Sequence, residues 1–167
     1  MPNLFSGKMA AIFDAMYQSF IDYDEEYEFY NGLIKEKKCT SILEIGSGTG
    51  NLAKRFCKNN QNYKGLDSSL SMIAIAQERN KNCTFIHGDM RNFVLESPVD
   101  AIIITGRSTS YLINNEDIID AFESVYKNLN PNGVFIFDII DANRFIPFIN
   151  ENKTIVHEAA YEGINYI

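Results

Sequence analysis

Residues 41–51 read SILEIGSGTGN, and this stretch decides how the rest of the chain is read. Ser41 to Ile45 is a short apolar run of the kind that makes a fully buried parallel strand. Gly46, Gly48 and Gly50 follow at alternate positions, and Asn51-Leu52-Ala53-Lys54-Arg55-Phe56 then begins a helical pattern. Strand, glycine loop and helix in that order form the first turn of a nucleotide-binding α/β unit. A side chain in such a loop would hold a ligand away from the backbone, and the tight turn needs positive φ.

Working outward, composition bounds the function classes. The chain has 167 residues, 46% of them hydrophobic, enough for one soluble domain with its own core. A net charge of −7 argues against a nucleic-acid backbone as the partner, which clustered Lys and Arg would serve. The basic group Lys35, Lys37 and Lys38 reads as a solvated helix end. Cys39, Cys57 and Cys83 share no metal-like spacing, and His87 and His157 do not complete a metal site. Free thiols in a reducing cytoplasm are therefore expected. No apolar run approaches ~20 residues and Met1 opens no signal-peptide pattern, so neither membrane nor export is expected.

Upstream of the glycine loop, two apolar stripes predict two helices: Met9, Ile12, Phe13, Met16 and Phe20, then Tyr23, Tyr27, Tyr30 and Ile34. Most of these tyrosines read as core. Tyr17 and Tyr23 differ, because they lie near the acidic, turn-like junction at Asp22 to Glu26, where a helical lid would turn groups into a cleft.

Downstream, strands and helices alternate with short links. Asn62 to Leu66 is a strand ending in Asp67, and Ser68 or Ser69 caps a helix to about Arg79 with Leu70, Ile73 and Ala74 inward. Cys83 to His87 is a third strand, closed by Gly88-Asp89-Met90, and Val99 to Thr105 a central fourth. Asn114 with Asp117 opens a helix carrying Ile118, Phe122, Val125 and Leu129. Asn130 to Gly133 is a turn, and Val134 to Ile140 the fifth strand. The pattern predicts an α/β fold: a doubly wound, mostly parallel sheet with right-handed crossovers.

Ligands bind such sheets outside the carboxyl ends of the strands, where strand order reverses. The polar groups there are Glu44 with the glycine loop, Asp67, Asp89 with Met90, Thr105 to Ser108, and Asp138. Asp67, about twenty positions past Gly46, is placed to accept both hydroxyls of a ribose. Capping the helix that follows is its alternative role.

These motifs in this order resemble the class I S-adenosylmethionine-dependent methyltransferases, over most of the chain. Glu44 with GSGTG, Asp67 in GLDSS, Asp89-Met90 in HGDM, and the segments VDAIIIT and LNPNGVFIFD each match that family's pattern. Small-molecule members, including sugar N,N-dimethyltransferases, are the most similar. They cover the cofactor with an N-terminal Tyr-Asp-x-x-Tyr followed by Asp-Tyr, where this chain has FDAMY and DY. Phe13 replaces the first tyrosine, and Tyr17 and Tyr23 fit the others. Arg107 stands where the subgroup has serine.

The resemblance implies S-adenosylmethionine as cofactor and methyl transfer to an N or O nucleophile of a small molecule. It assigns cofactor contacts to Tyr17, Tyr23, Glu44, Gly46, Ser47, Gly48, Gly50, Asp67, Ser68, Met72, Asp89, Met90 and Thr105. Arg107 would hold a substrate carboxylate or phosphate, or else form a surface salt bridge. No general base stands out.

A nicotinamide-dependent oxidoreductase would share the strand, loop and ribose acid. Its fingerprint requires glycine where this chain has Asn51, and it gives no reason for Asp89-Met90. A non-catalytic cofactor-binding fragment is the other alternative. The expected organisation is a helical lid over 1–38, a cofactor-binding core over 39–141, and the start of a substrate-side region over 142–167. Thr154 to Ile167 alternates as a strand or hairpin with Glu162-Gly163 as its turn, and stops inside the pattern. A truncated form of a longer protein is expected, with Val134, Ile136 and Ile139 exposed on an open fifth-strand edge that pairs with a second copy or aggregates.

Overall fold

A computed structural model describes residues 5–58, 62–152, 154 and 156–166; Met1 and Ile167, where sequence expectations also fell, lie outside them. Five parallel strands form one sheet: β1 (Ser41–Ile45), β2 (Asn62–Asp67), β3 (Thr84–His87), β4 (Val99–Ile104) and β5 (Leu129–Phe137). Their spatial order is β3-β2-β1-β4-β5. The chain moves outward from β1 to β3, crosses back to β4, and moves outward again. The reversal lies between β1 and β4, at the carboxyl end of the glycine-loop strand.

Period-two alternation sorts the strand residues into two cores. Ile42, Ala101 and Ile103 face Tyr27, Tyr30 and Ile34 of α2 (Tyr23–Glu36), and Ala53 and Phe56 of α3 (Ala53–Lys58). Leu43, Ile45, Ile102 and Ile104 face Phe93, Leu95 and Val125, the last on α5 (Asn115–Asn128). With both faces covered, the strands carry unbroken apolar runs instead of alternation. α4 (Leu70–Arg79) is capped by Ser69, whose hydroxyl accepts from Met72 N–H, and Asn114 caps α5 by accepting from Asp117 N–H.

Several local expectations are corrected. α1 (Lys8–Phe20) buries Ala10, Ile12 and Asp14, while Met9 and Phe20 are exposed. The two exposed residues lie at the ends of the helix, while Ile12 in its middle is buried as expected and Phe13 lines a cavity. On α4 the inward residues are Met72, Ile73 and Ala76; Leu70 and Ala74 are exposed. β5 starts at Leu129, not Val134. The register jumps from Val99↔Leu129 to Ala101↔Val134, so the Asn130–Gly133 turn bulges within the strand, with Asn132 at φ 67°. α6 (Ala142–Glu151) was not expected, because Pro147 interrupts its pattern; Asp141 caps it through Asn143 N–H. Cys57 and Cys83, expected as free thiols, form a disulfide with their Cα atoms 6.0 Å apart. It ties the last turn of α3 to the start of β3, and Cys39 alone is free.

The expected hairpin is present as β6 (Ala159–Tyr161) and β7 (Ile164–Tyr166), turning through Glu162 (φ 49°) and Gly163 (φ 75°). It packs on α1, where the Phe20 and His157 rings stack at 4.5 Å and Lys8 pairs with Glu162 at 3.3 Å. Among the described residues β5 pairs only with β4. Ile139 is exposed as expected, whereas Val134 and Ile136 are half-buried, Ile136 against the α2-side core. No helix among the described residues is long and apolar enough to cross a membrane.

Candidate cofactor cavity

A cavity of about 370 Å³ opens at the carboxyl ends of β1, β2 and β4, within the range of small-molecule sites. The glycine loop forms one wall. Gly46 N–H and Ser47 N–H both donate to Leu66 O, at 2.8 and 3.1 Å, which folds the loop back over β2. At Gly46 (φ 75°) a Cβ would stand 2.8 Å from Ser108 Cβ. Gly48 (φ 52°) has open space where its Cβ would be, so a ligand can approach the backbone there. Gly50 does not line the cavity. A Cβ on it would meet Asn80 Nδ2 at 2.6 Å and Ala76 and Phe85 at 3.1 Å, so glycine there serves packing between the loop, α4 and β3.

Two acidic groups anchor this wall. Asp67 accepts from Gly48 N–H at 2.9 Å and Ser69 N–H at 2.8 Å, one on each carboxylate oxygen. It therefore holds the loop and starts α4, and each oxygen keeps another lone pair toward the cavity. Burial pushes its carboxyl up, and the backbone N–H groups of Ser69, Gly48 and Ser68, with His87, oppose that shift. Glu44 is 2% exposed, and accepts from Tyr63 Oη at 2.5 Å and Thr105 Oγ1 at 2.9 Å. Burial raises its carboxyl to about 7 despite these bonds.

The lid wall comes from α1 and the start of α2. Phe13, Tyr17 and Tyr23 line the cavity, with the Phe13 and Tyr17 rings stacked at 4.2 Å. Asp14 also lines it, and sequence reasoning missed this residue. Its carboxylate accepts from Arg79 Nη2 at 2.5 Å, from Asn51 Nδ2 at 3.0 Å and from Thr49 Oγ1. Burial would raise the carboxyl, but Arg79, Thr49 and Asn51 together hold it below the ordinary carboxylate range. The signal was available in FDAMY, where an acid sits inside an apolar helix face.

Ser68, Met72, Asp89 and Met90 line the far end, on the β2–β3 side. Asp89 pairs with Arg91 at 2.5 Å, which lowers its carboxyl, and Arg91 also reaches Asp117 at 2.8 Å. Ser47 lines the floor; its Oγ is buried and has no hydrogen-bond partner among the described residues. Toward β4 and β5 the wall is sparser. Glu26 lines it with no hydrogen bond or ion pair from its side chain among the described residues. Burial raises its carboxyl, Asp138 adds to this, and Arg107 opposes it. Arg107 itself is exposed and outside the cavity lining; its N–H, at φ 61°, donates to Asp138 at 2.9 Å. The structure thus brings every expected cofactor residue except Gly50 to one cavity, and leaves Arg107 outside it.

Comparison with known proteins agrees with this geometry. Residues 42–133 match the family described as Methyltransferase domain. The dTDP-3-amino-3,6-dideoxy-alpha-D-glucopyranose N,N-dimethyltransferase of Streptomyces fradiae is 28% identical over 137 residues, 80% of this chain and 54% of that protein. The carboxy-S-adenosyl-L-methionine synthase of Staphylococcus epidermidis is 36% identical over 133 residues, 76% of this chain and 57% of that protein. Among solved structures, Streptomyces venezuelae DesVI superposes with a TM-score of 0.79 at 24% identity, covering 96% of this chain and 68% of that one. The chain spans about half the length of the curated relatives it matches. With the family matched over more than half its length and the Rossmann-like fold in place, the chain belongs to the methyltransferase domain family.

Proposed function

We propose that this chain transfers a methyl group from S-adenosylmethionine to a small-molecule acceptor with a nitrogen or oxygen nucleophile. The observation that carries the reading is the cavity: one space joins the Gly46–Gly48 backbone, Asp67, Asp89-Met90 and the Tyr17 lid. The residues fit an adenosyl ligand. The unpartnered Ser47 Oγ and the open side of Gly48 are suited to a polar ligand held against backbone. Among the described residues, Asp14, Glu26, Glu44, Asp67 and Asp89 line the cavity with Arg91 as the sole basic residue, and Arg91 is already paired. Such a lining suits a ligand carrying positive charge.

When bound, the sulfonium supplies a methyl group electrophilic enough that alignment matters more than activation. Asp67 would accept the ribose hydroxyls through its free lone pairs. Asp89 would accept from the adenine amino group, with Ser68, Met72 and Met90 flanking the base. Backbone at Gly46, Ser47 and Gly48 would hold the methionyl part. The Tyr17 and Tyr23 faces would exclude water and favour the cation. Thr105 fixes Glu44 behind this arrangement, and Arg107 is proposed for the acceptor. A neutral amine needs no dedicated base.

The name of the Streptomyces fradiae relative specifies an amino group on a dTDP-linked sugar, so we propose nucleotide-linked amino sugars as the first acceptor class. We further propose the lid, core and substrate-side division at 1–38, 39–141 and 142–167, and a homodimer through the β5 edge. A net charge of −7 supports a small-molecule partner over nucleic acid. A cytoplasmic location is proposed with one observation against it, the Cys57–Cys83 bond; thiol titration of protein taken directly from cells decides.

Calorimetric titration with S-adenosylhomocysteine and with NAD tests the cofactor. The expected outcome is a Kd of roughly micromolar order for the former, near −8 kcal/mol, and no competition from NAD. Binding of NAD alone would sink the reading. A panel of amino-sugar and hydroxyl acceptors then separates nitrogen from oxygen transfer.

A further inference from the structure

The glycine loop is bound twice, by Asp67 from below and by a side-chain network from the lid. The second set centres on Asp14 and Arg79. Asp14 lies on α1 and is 7% exposed. Arg79 lies in the last turn of α4, outside the cavity lining. Its guanidinium reaches both Asp14 oxygens, at 2.5 and 3.0 Å. It also donates to Thr49 O at 3.1 Å and to Asn51 Oδ1 at 2.8 Å, on either side of Gly50. Asn51 and Thr49 return hydrogen bonds to Asp14.

The hydrogen bonds from the body of α1 to the glycine loop and α4 converge on this one carboxylate. Other ties act elsewhere. The segment ahead of the helix is held by Gly7 N–H on Ser71 Oγ at 2.9 Å, and its outer side rests on the C-terminal hairpin. Phe13 and Tyr17, on either side of Asp14 in sequence, form the aromatic roof of the cavity.

We propose that Asp14 and Arg79 are a latch that positions this roof, setting how fast the cofactor enters and leaves. The idea rests on the cofactor reading above. A bidentate ion pair that is buried on its carboxylate side and carries further hydrogen bonds loses much when one partner is removed. Opening α1 must break it, because the roof residues and Asp14 share one helix. A latch closed in the free protein slows entry as well as exit. Releasing it therefore raises both the association and the dissociation rate. Damage to the binding surface raises dissociation and leaves association unchanged or slower.

Arg79→Ala separates these cases, since Arg79 does not line the cavity. Surface-captured chain with S-adenosylhomocysteine in the flow gives both rates. The expected result is dissociation faster by about ten- to hundredfold, the range for a bond to a charged group, with association faster too. Asp14→Asn, which removes the charge from the other side, shifts both rates in the same direction. Amide exchange on the ligand-free chain supplies an independent readout: residues 8–20 exchange faster in Arg79→Ala while β1 and β4 are unchanged. Unchanged rates, faster dissociation with association unchanged or slower, or wild-type exchange in α1 overturns the latch. Should wild type fail to bind S-adenosylhomocysteine, the cofactor reading falls, and the exchange result still judges the latch.

Discussion

On the β1–β2 side of the cavity, Asp67 and Glu44 take hydrogen bonds from Gly48, Ser69, Tyr63 and Thr105; on the β4–β5 side, the Glu26 side chain has no such partner and Arg107 stands outside. The first wall is fixed before any ligand arrives, because each carboxylate oxygen is already oriented by a donor. Such preorganisation suits a ligand that never changes. The second wall carries few fixed groups, as expected where an acceptor is recognised partly by elements beyond the sheet. Substitutions on the first wall should therefore shift both stability and cofactor binding, and those on the second should largely spare both.

The largest effect is expected at Gly46. Alanine there costs ~1–2 kcal/mol for the left-handed backbone, and a further ~1–3 kcal/mol for overpacking against Ser108. Thermal melting and S-adenosylhomocysteine titration of Gly46→Ala should both fall well below wild type. A variant that melts and binds normally would show that the first wall yields, and the contrast would collapse.

Glu44 comes next, and its signature is in pH. Its folded carboxyl is raised from 4.5 to about 7, so between those values the folded state holds a proton that the unfolded chain has released. Stability accordingly falls as pH rises through this window, by on the order of 3 kcal/mol in full. Glu44→Gln should remove that slope and leave the variant the more stable form at pH 8. Denaturant unfolding across pH 4 to 8 measures it; parallel slopes for variant and wild type would place the titration elsewhere.

Asp67→Ala should weaken S-adenosylhomocysteine binding by roughly 1.5–3 kcal/mol. The sequence alone suggests little change in ligand-free melting. The bonds to Gly48 and Ser69 revise that, since both donors lose their acceptor and the melting point should drop as well. Loss of melting temperature with wild-type affinity would reduce Asp67 to a helix cap.

These contrasts also explain what the sequence could and could not show. The β1 strand, the glycine loop and Asp67 were legible because backbone demands restrict residue type: apolar runs where both sheet faces are covered, glycine at positive φ, an acid at a strand end. Asp14 is visible as an acid inside an apolar helix face, but its role is not, because its partners lie 35 to 65 positions away, at Thr49, Asn51 and Arg79. The family resemblance assigns Gly50 to the cofactor set, yet the space beside it is taken by Asn80 and Phe85, contacts distant in sequence that a motif does not encode. The disulfide escaped because Cys57 and Cys83 meet only after α3 and β3 are placed.

The smallest effect on the cofactor is expected at Glu26, and it is the sharpest test of the contrast. Its carboxyl lines the cavity on the β4–β5 side, half-buried, raised by burial and by Asp138 and lowered by Arg107. A raised carboxyl weakens the fold once it ionises, so Glu26→Gln should keep or slightly improve stability at neutral pH. Affinity for S-adenosylhomocysteine should stay within about twofold, as for a substitution that breaks no fixed contact. Turnover of an amine acceptor should fall by about tenfold or more, because a charged hydrogen-bond partner for the acceptor is lost. Calorimetry and acceptor kinetics on the same preparation separate the two outcomes. If Glu26→Gln costs cofactor affinity while turnover at saturating cofactor holds, Glu26 belongs to the preorganised wall, and the acceptor must be recognised by other residues.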